Sequence, residues 1–163
     1  MSPLRPDIVA VWIFRRRDDA LEVLLLRRAA GRFLQGMWQC VTGSIEADER
    51  ATAAALREVR EETGLGPEEI EAFYDLDMVN SFYEPKADAV LAEAVFALRV
   101  RASAVVAISP EHDDLRWVPP DGARRLLVWP AWRTAVDRIE EDLADAGRAA
   151  WFELVEDGSK RRL

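Results

Sequence analysis

The sequence has one cysteine, Cys40, and one histidine, His112. A lone cysteine excludes an internal disulfide framework and any zinc site built on several cysteines. It permits a reducing compartment. There is no run of 18 apolar residues, so no membrane span is expected. The apolar stretch Ile8 to Phe14 is too short for a secretory leader and runs into Arg15, Arg16 and Arg17. No signal peptide is expected, and a cytoplasmic location follows as the expectation. Basic charge is also short: 22 Lys and Arg against 30 Asp and Glu leave a net charge of -8. Such a surface repels a nucleic-acid backbone, so no nucleic-acid partner is expected. The basic cluster Lys160, Arg161 and Arg162 reads as a solvated end. Internal repeats and low-complexity linkers are missing as well.

What is present is ordinary globular composition. The 163 residues are 50% hydrophobic and 32% charged, which suits one domain spanning 1–163. A chain of this size buries about 70% of its unfolded surface. Asp7 to Phe14 and Leu21 to Leu26 are short apolar runs that read as strands, joined by a longer polar loop over Arg15 to Ala20. Ala29 to Gly36 reads as a loop, and Trp38 to Thr42 as a short strand stopped by Gly43. Glu71 to Met78, Val90 to Val100 and Leu115 to Val118 read as further strands, the last ended by Pro119 and Pro120. Trp132, Ala135, Val136, Ile139 and Leu143 recur at helical spacing. The order predicts an α+β domain layered on a mixed sheet.

The clearest helix runs from Glu49 to Thr63, with Thr52, Leu56, Val59 and Thr63 on one stripe. Gly64 follows at once and suits a left-handed cap. Glu58, Glu61 and Glu62 fall at i, i+3 and i+4 on another face. Like charges at that spacing repel unless something cationic sits there. Taken alone, the trio reads as a solvated acidic face balanced by Arg57 and Arg60. Hard divalent cations, however, seek oxygen ligands of this kind.

The surrounding residues decide between the two. The stretch GSIEADERATAAALREVREETGL carries Gly43, Glu49, Arg57, Glu58, Val59, Glu61, Glu62, Gly64 and Leu65 at the fixed positions of G-x₅-E-x₇-R-E-U-x-E-E-x-G-U, with U aliphatic. Average residue usage makes this a chance event on the order of 10⁻⁸ over the chain. The chain resembles the Nudix hydrolases, and the resemblance extends over about residues 7 to 145. It implies an α/β/α sandwich around a central mixed sheet. It implies cleavage of a phosphoanhydride bond with Mg²⁺, or Mn²⁺, as cofactor. By motif position, Glu58 and Glu62 are metal ligands, with Glu58 alternatively the general base. Glu61 is a third ligand or an orienting group. Arg57 pairs with Glu49 and holds the loop against the helix. Gly43 turns the backbone tightly and offers its carbonyl to a metal. Glu111, in Ser109 to Asp114, is the candidate for a further ligand from a distant loop, against a surface acid.

The run Trp38 to Glu46, the pair Glu111-His112 before Arg116-Trp117, and Trp132 near the start of a late helix are similar to one subgroup. It includes bacterial dihydroneopterin triphosphate pyrophosphohydrolase, also described as acting on dATP. That similarity implies a nucleoside or pterin triphosphate substrate, releasing pyrophosphate. Val41 to Ser44 departs from the commoner Pro-Gly-Gly, Glu46 to Glu49 lacks the usual glycine before the motif glutamate, and residues 66 to 90 show no match to that subgroup. Arg27 and Arg28 are candidates to hold a phosphate, or are solvated strand ends. Trp38 and Phe82, with Phe33 and Tyr83, are candidates to stack on a base; Trp38 also reads as core. Glu93 faces either the site or solvent, and His112 reads as a packing or surface residue. Hydrolysis of ADP-ribose, nucleotide sugars or dinucleoside polyphosphates is the alternative, then a non-catalytic nucleotide-binding module. Many relatives are homodimers, which makes a homodimer an allowed assembly here.

Overall fold

The two N-terminal apolar runs become the middle of a sheet. The structure, a computed structural model, describes residues 3–155 and 158–161. Strands β1 (Ile8–Arg17) and β2 (Ala20–Arg28) pair antiparallel with Arg17 opposite Ala20. Only Asp18 and Asp19 turn the chain, at φ 50° and 63°. A two-residue turn with both φ positive matches strand twist, and aspartate tolerates that region. The expected longer loop is absent because Arg15 is taken into the strand. It pairs with Glu22 at 2.7 Å and lies 4.0 Å over the Trp117 ring.

Trp38 to Thr42, expected as one strand, is two. β3 (Trp38–Gln39) pairs with β2, and β4 (Val41–Ser44) crosses to pair with β1. β5 (Ile70–Glu84) and β6 (Ala89–Val100) form a hairpin longer than expected, because β5 runs on past Met78 as an exposed ribbon in which Val79, Phe82 and Tyr83 mix with polar residues. β6 lies parallel to β1. β7 (His112–Val118) pairs with β2, and β8 (Glu153–Leu154) with β5. The described residues thus make an eight-stranded mixed sheet, ordered β3-β2-β1-β6-β5-β8 with β4 on β1 and β7 on β2.

Helix α1 (Ala51–Thr63) covers one face of the sheet, where Ala54, Ala55 and Val59 pack with Val9, Val11, Ile13 and Leu98. It starts after Arg50, two residues later than the periodicity suggested, because Glu49 is turned away to Arg57. Gly64 ends it at φ 70°. Helices α2 (Pro120–Leu126), α3 (Pro130–Arg138) and α4 (Ala146–Phe152) cover the other face, over Ala10, Trp12, Phe14 and Val95. Pro120 and Pro130 open helices rather than only closing strands, since proline at the first helical position gives up a donor that has no partner there. The late periodic helix changes to a π-helical turn at Ile139–Leu143. The result is the α/β/α sandwich with a mixed sheet. The basic end is not free: Lys160 pairs with Asp75 at 2.6 Å and Arg161 with Glu153 at 3.0 Å. Arg162 lies outside the described residues.

Val59 clamps α1 to the sheet and is fully buried. Val59→Ala is expected to cost about 1–3 kcal/mol, read as a lower denaturation midpoint at unchanged slope.

Candidate active site

The site grows from the inner edge of α1. Packing by Ala54, Ala55, Val59 and Thr63 fixes the roll of the helix. That roll carries Glu58 and Glu62 towards the sheet, while Glu61 stays 59% exposed on its side chain. The three acids therefore do not point together; an i+3 step swings Glu61 outward. A Cβ on Gly43 would fall 2.0 Å from the Glu58 carboxyl carbon, so only glycine lets the two approach.

Arg57 ties this edge together. Its Nε and Nη2 donate to the two Glu49 oxygens at 2.9 Å each. Nη2 also reaches the Ser44 carbonyl at 3.0 Å, and Nη1 reaches Glu58 at 2.7 Å and Glu61 at 3.4 Å. The Arg57 guanidinium holds the Glu49 carboxyl down at about 2. Turn 44–49 is thereby fixed against the helix.

The C-terminal end of α1 places the distant loop. Its last carbonyls lack helical partners. The Thr63 carbonyl accepts from the Ala107 amide at 2.9 Å and the Glu62 carbonyl from the Ser109 amide at 3.0 Å. Glu111 follows, paired with Arg28 at 2.9 Å, while its carbonyl accepts from the Ala29 amide. The sequence signals for Glu111 and Arg28 thus meet in one place, beside α1.

Glu62 is 4% exposed, and its Oε2 has no hydrogen-bond partner. Burial, then the charges of Glu111 and Glu58, push its carboxyl up to about 8. Burial also raises Glu58, against the pull of Arg57. His112 is buried beside them, 3.8 Å from Glu62 and 3.4 Å from the Gln39 amide nitrogen. Burial and the Arg28 charge lower His112 to about 4. Burial disfavours the charged form of both His112 and Glu62, so their approach at 3.8 Å is not held by an ion pair.

Other residues lie apart. Arg27 is held by Asp113 at 2.6 Å and reaches Asp114 at 3.8 Å. Trp38 is buried in the core, with Arg116 4.6 Å over its ring. Phe82 sits on the β5–β6 hairpin opposite Leu91, 40% exposed. Phe33, 69% exposed, lies 5.9 Å from Lys86 near the hairpin tip. Glu93 is buried, accepting from Asn80 at 2.8 Å and from the Trp132 indole. Asn80 carried no motif and Gln39 was not singled out within the run Trp38 to Glu46; strand pairing brings both to this end.

The donor set fits a hard divalent cation. It combines the all-oxygen group Glu58, Glu62, Glu111 and the Gly43 carbonyl, a buried unpaired carboxylate oxygen, and the space cleared by Gly43. Among the described residues, no three His, Cys, Asp or Glu side chains already converge as a metal cluster. Glu58 and Glu111 are turned to Arg57 and Arg28 instead.

The NUDIX domain family matches residues 4–139 of the chain. An octanoyltransferase from Myxococcus xanthus is 35% identical over 132 residues, 80% of this chain and 35% of that protein. The chain therefore spans about a third of the length of that relative. A Nudix hydrolase from Listeria monocytogenes, itself of unproven activity, superposes with TM-score 0.74 at 29% identity, covering 85% of this chain and 94% of that one. The Escherichia coli dihydroneopterin triphosphate pyrophosphohydrolase superposes with TM-score 0.66 at 25% identity, covering 80% and 92%.

Glu62 sets a pH dependence of stability. Its carboxyl is raised in the folded state, so folding holds its proton more tightly than the unfolded chain does. Its stabilising contribution is full below about pH 4.5 and is lost as pH rises towards about 8. Thermal melts of metal-free protein are expected to show stability falling over that window, by on the order of a few kcal/mol. Glu62→Gln should flatten the slope. Added Mg²⁺ should raise the melting point of the parent protein at pH 8, and much less that of the variant.

Proposed function

We infer the activity from one premise: the chain belongs to the Nudix hydrolase family. The reading is a metal-assisted pyrophosphohydrolase that cuts a nucleoside or pterin triphosphate into the monophosphate and pyrophosphate. The observation that carries it is the buried, unpaired Glu62 oxygen with Glu58 and Glu111 around it. An acid cluster that disfavours its own ionisation is suited to a cation and to the phosphates that follow it.

Hydrolysis of a phosphoanhydride needs the phosphate charge neutralised and a water activated. Glu58, Glu62, Glu111 and the Gly43 carbonyl would hold Mg²⁺ or Mn²⁺. When bound, the cation supplies charge neutralisation on the phosphates and makes nearby water more acidic. Glu58 lies where it can also take a proton, and Glu61 orients the outer side from its exposed position. Arg57 and Glu49 fix Glu58 and the turn that follows β4 as positioning residues; Gly43 itself lies within β4 rather than in a tight turn. Arg28 positions Glu111, and its further N–H donors suit a phosphate oxygen. Similarity to the dihydroneopterin triphosphate enzyme at 25% identity supports a triphosphate, and Phe82 on its hairpin suits a flat ring. Arg27 and Trp38 are engaged elsewhere and take no part in this reading.

Incubation with Mg²⁺ and dATP, dihydroneopterin triphosphate, ADP-ribose or diadenosine polyphosphates, with products resolved, tests the proposal. Pyrophosphate plus a monophosphate from a triphosphate is expected. Cleavage of ADP-ribose or dinucleotides alone would overturn the substrate class. Glu62→Gln is expected to lower kcat at least about a hundredfold, because the cation loses a charged ligand. Retained turnover would remove Glu62 from the metal site.

A further inference from the structure

Ser44, Ile8, Glu93 and Asn80 form one cross-strand row over β4, β1, β6 and β5. Residues paired in this way share a face of the sheet. Ser44 follows Gly43, against which Glu58 rests. By strand alternation the row lies on the sheet face opposite α1, so it meets the acids only through the Gly43–Ser44 backbone and leads away from there. With strands about 4.8 Å apart, Glu93 stands roughly 10 Å along it. Trp132 of helix α3 packs on this face with Ala10, Trp12 and Val95. Ile8, Leu91 and Asn80 are half-buried at the border of that packing.

Glu93 is the anomaly of the row. It is 5% exposed, and burying a carboxylate is costly. Its partners are two neutral donors, the Asn80 amide at 2.8 Å and the Trp132 indole N–H. A carboxylate has about four acceptor positions and no donor. Asn80 and Trp132 take two, so the group left to a ligand is purely accepting. Phe82 follows Asn80 at the next position on the same side of β5, 40% exposed and able to lie against a flat ring.

Resting on the pyrophosphohydrolase reading, we propose that Glu93, held by Asn80 and Trp132, selects substrates whose ring presents two adjacent donors. That edge is the ring N–H with its neighbouring exocyclic amino group, shared by guanine and the pterins. Adenine sets a ring lone pair beside its amino group and would turn that lone pair against the carboxylate. Inosine keeps the ring N–H and lacks the amino group, so it isolates the second hydrogen bond.

The test is binding, so that it is independent of turnover. Calorimetric Kd values are measured with Mg²⁺ for the α,β-methylene analogues of GTP, ITP and ATP. The guanosine analogue is expected to bind at least about tenfold more tightly than the inosine one. Glu93→Gln turns one acceptor into a donor and should shrink that ratio below about threefold. Asn80→Ala, at a half-buried position, should narrow the ratio as well and keeps the test alive if Glu93→Gln fails to fold. Equal guanosine and inosine affinities in the parent, or a ratio unchanged in the folded variants, overturns the proposal. Turnover of GTP itself is scored separately. Selective binding without turnover keeps this inference and sinks the proposed activity; turnover without selectivity does the reverse. A competition between dihydroneopterin triphosphate and GTP names the ring source, and either one displacing ATP supports the assignment.

Discussion

The arrangement of the acids depends on one guanidinium. Arg57 spends its donors on both Glu49 oxygens, the Ser44 carbonyl, Glu58 and Glu61. The planar fork of arginine suits two-point contact with a carboxylate, and charge assistance makes each bond stronger than a neutral one. A lysine would give one point charge and could not hold turn and helix together. Turn 44–49 needs such a hold, since Asp48 lies at φ 62°. Once it is fixed, Gly43 is set against Glu58 at a distance that no Cβ allows.

The other end of the same helix works by backbone. Unsatisfied carbonyls at a helix end seek donors. Those of Glu62 and Thr63 find the amides of Ser109 and Ala107. A loop nearly fifty residues away in sequence is thereby registered to α1, and Glu111 arrives beside Glu62. Helix α1 is thus a ruler with a side-chain clamp near its middle and a backbone clamp at its end. Arg28, from β2, closes the arrangement by pairing with Glu111.

The sequence was legible where chemistry is local. The spacing of Glu58, Glu62, Arg57 and Glu49 in one helix and turn needs no tertiary information, and Gly64 announces its left-handed cap. Strand lengths were hidden where an exposed ribbon mixes apolar and polar residues without alternation, as over Val79 to Glu84, or where arginine is folded into a strand, as at Arg15. The split at Cys40 was hidden because β3 and β4 answer to different partner strands. Arg27 and Arg28 looked alike in sequence. Alternation along the strand, and the acids each one meets, separate them: Asp113 and Asp114 take Arg27, and Glu111 takes Arg28. Asn80 was invisible because no local pattern marks a residue whose importance is its cross-strand register.

Two carboxyls, Glu62 and Glu93, are buried at the same end of the sheet, and their neighbours set them different tasks. Around Glu62 the charges are Glu111 and Glu58, with Arg28 as partial relief. Like charge in a dry place raises the cost of ionisation, and an added cation removes that cost. Around Glu93 no second acid acts on its proton; burial raises it, and Asn80 and Trp132 pull it down. A cation is not called for there, and a neutral group with hydrogen-bond donors is. Burial alone would therefore class the two together. The difference lies in what surrounds them, charge in one case and donors in the other. It separates a place where charge must be neutralised from a place where hydrogen-bond donors can be recognised.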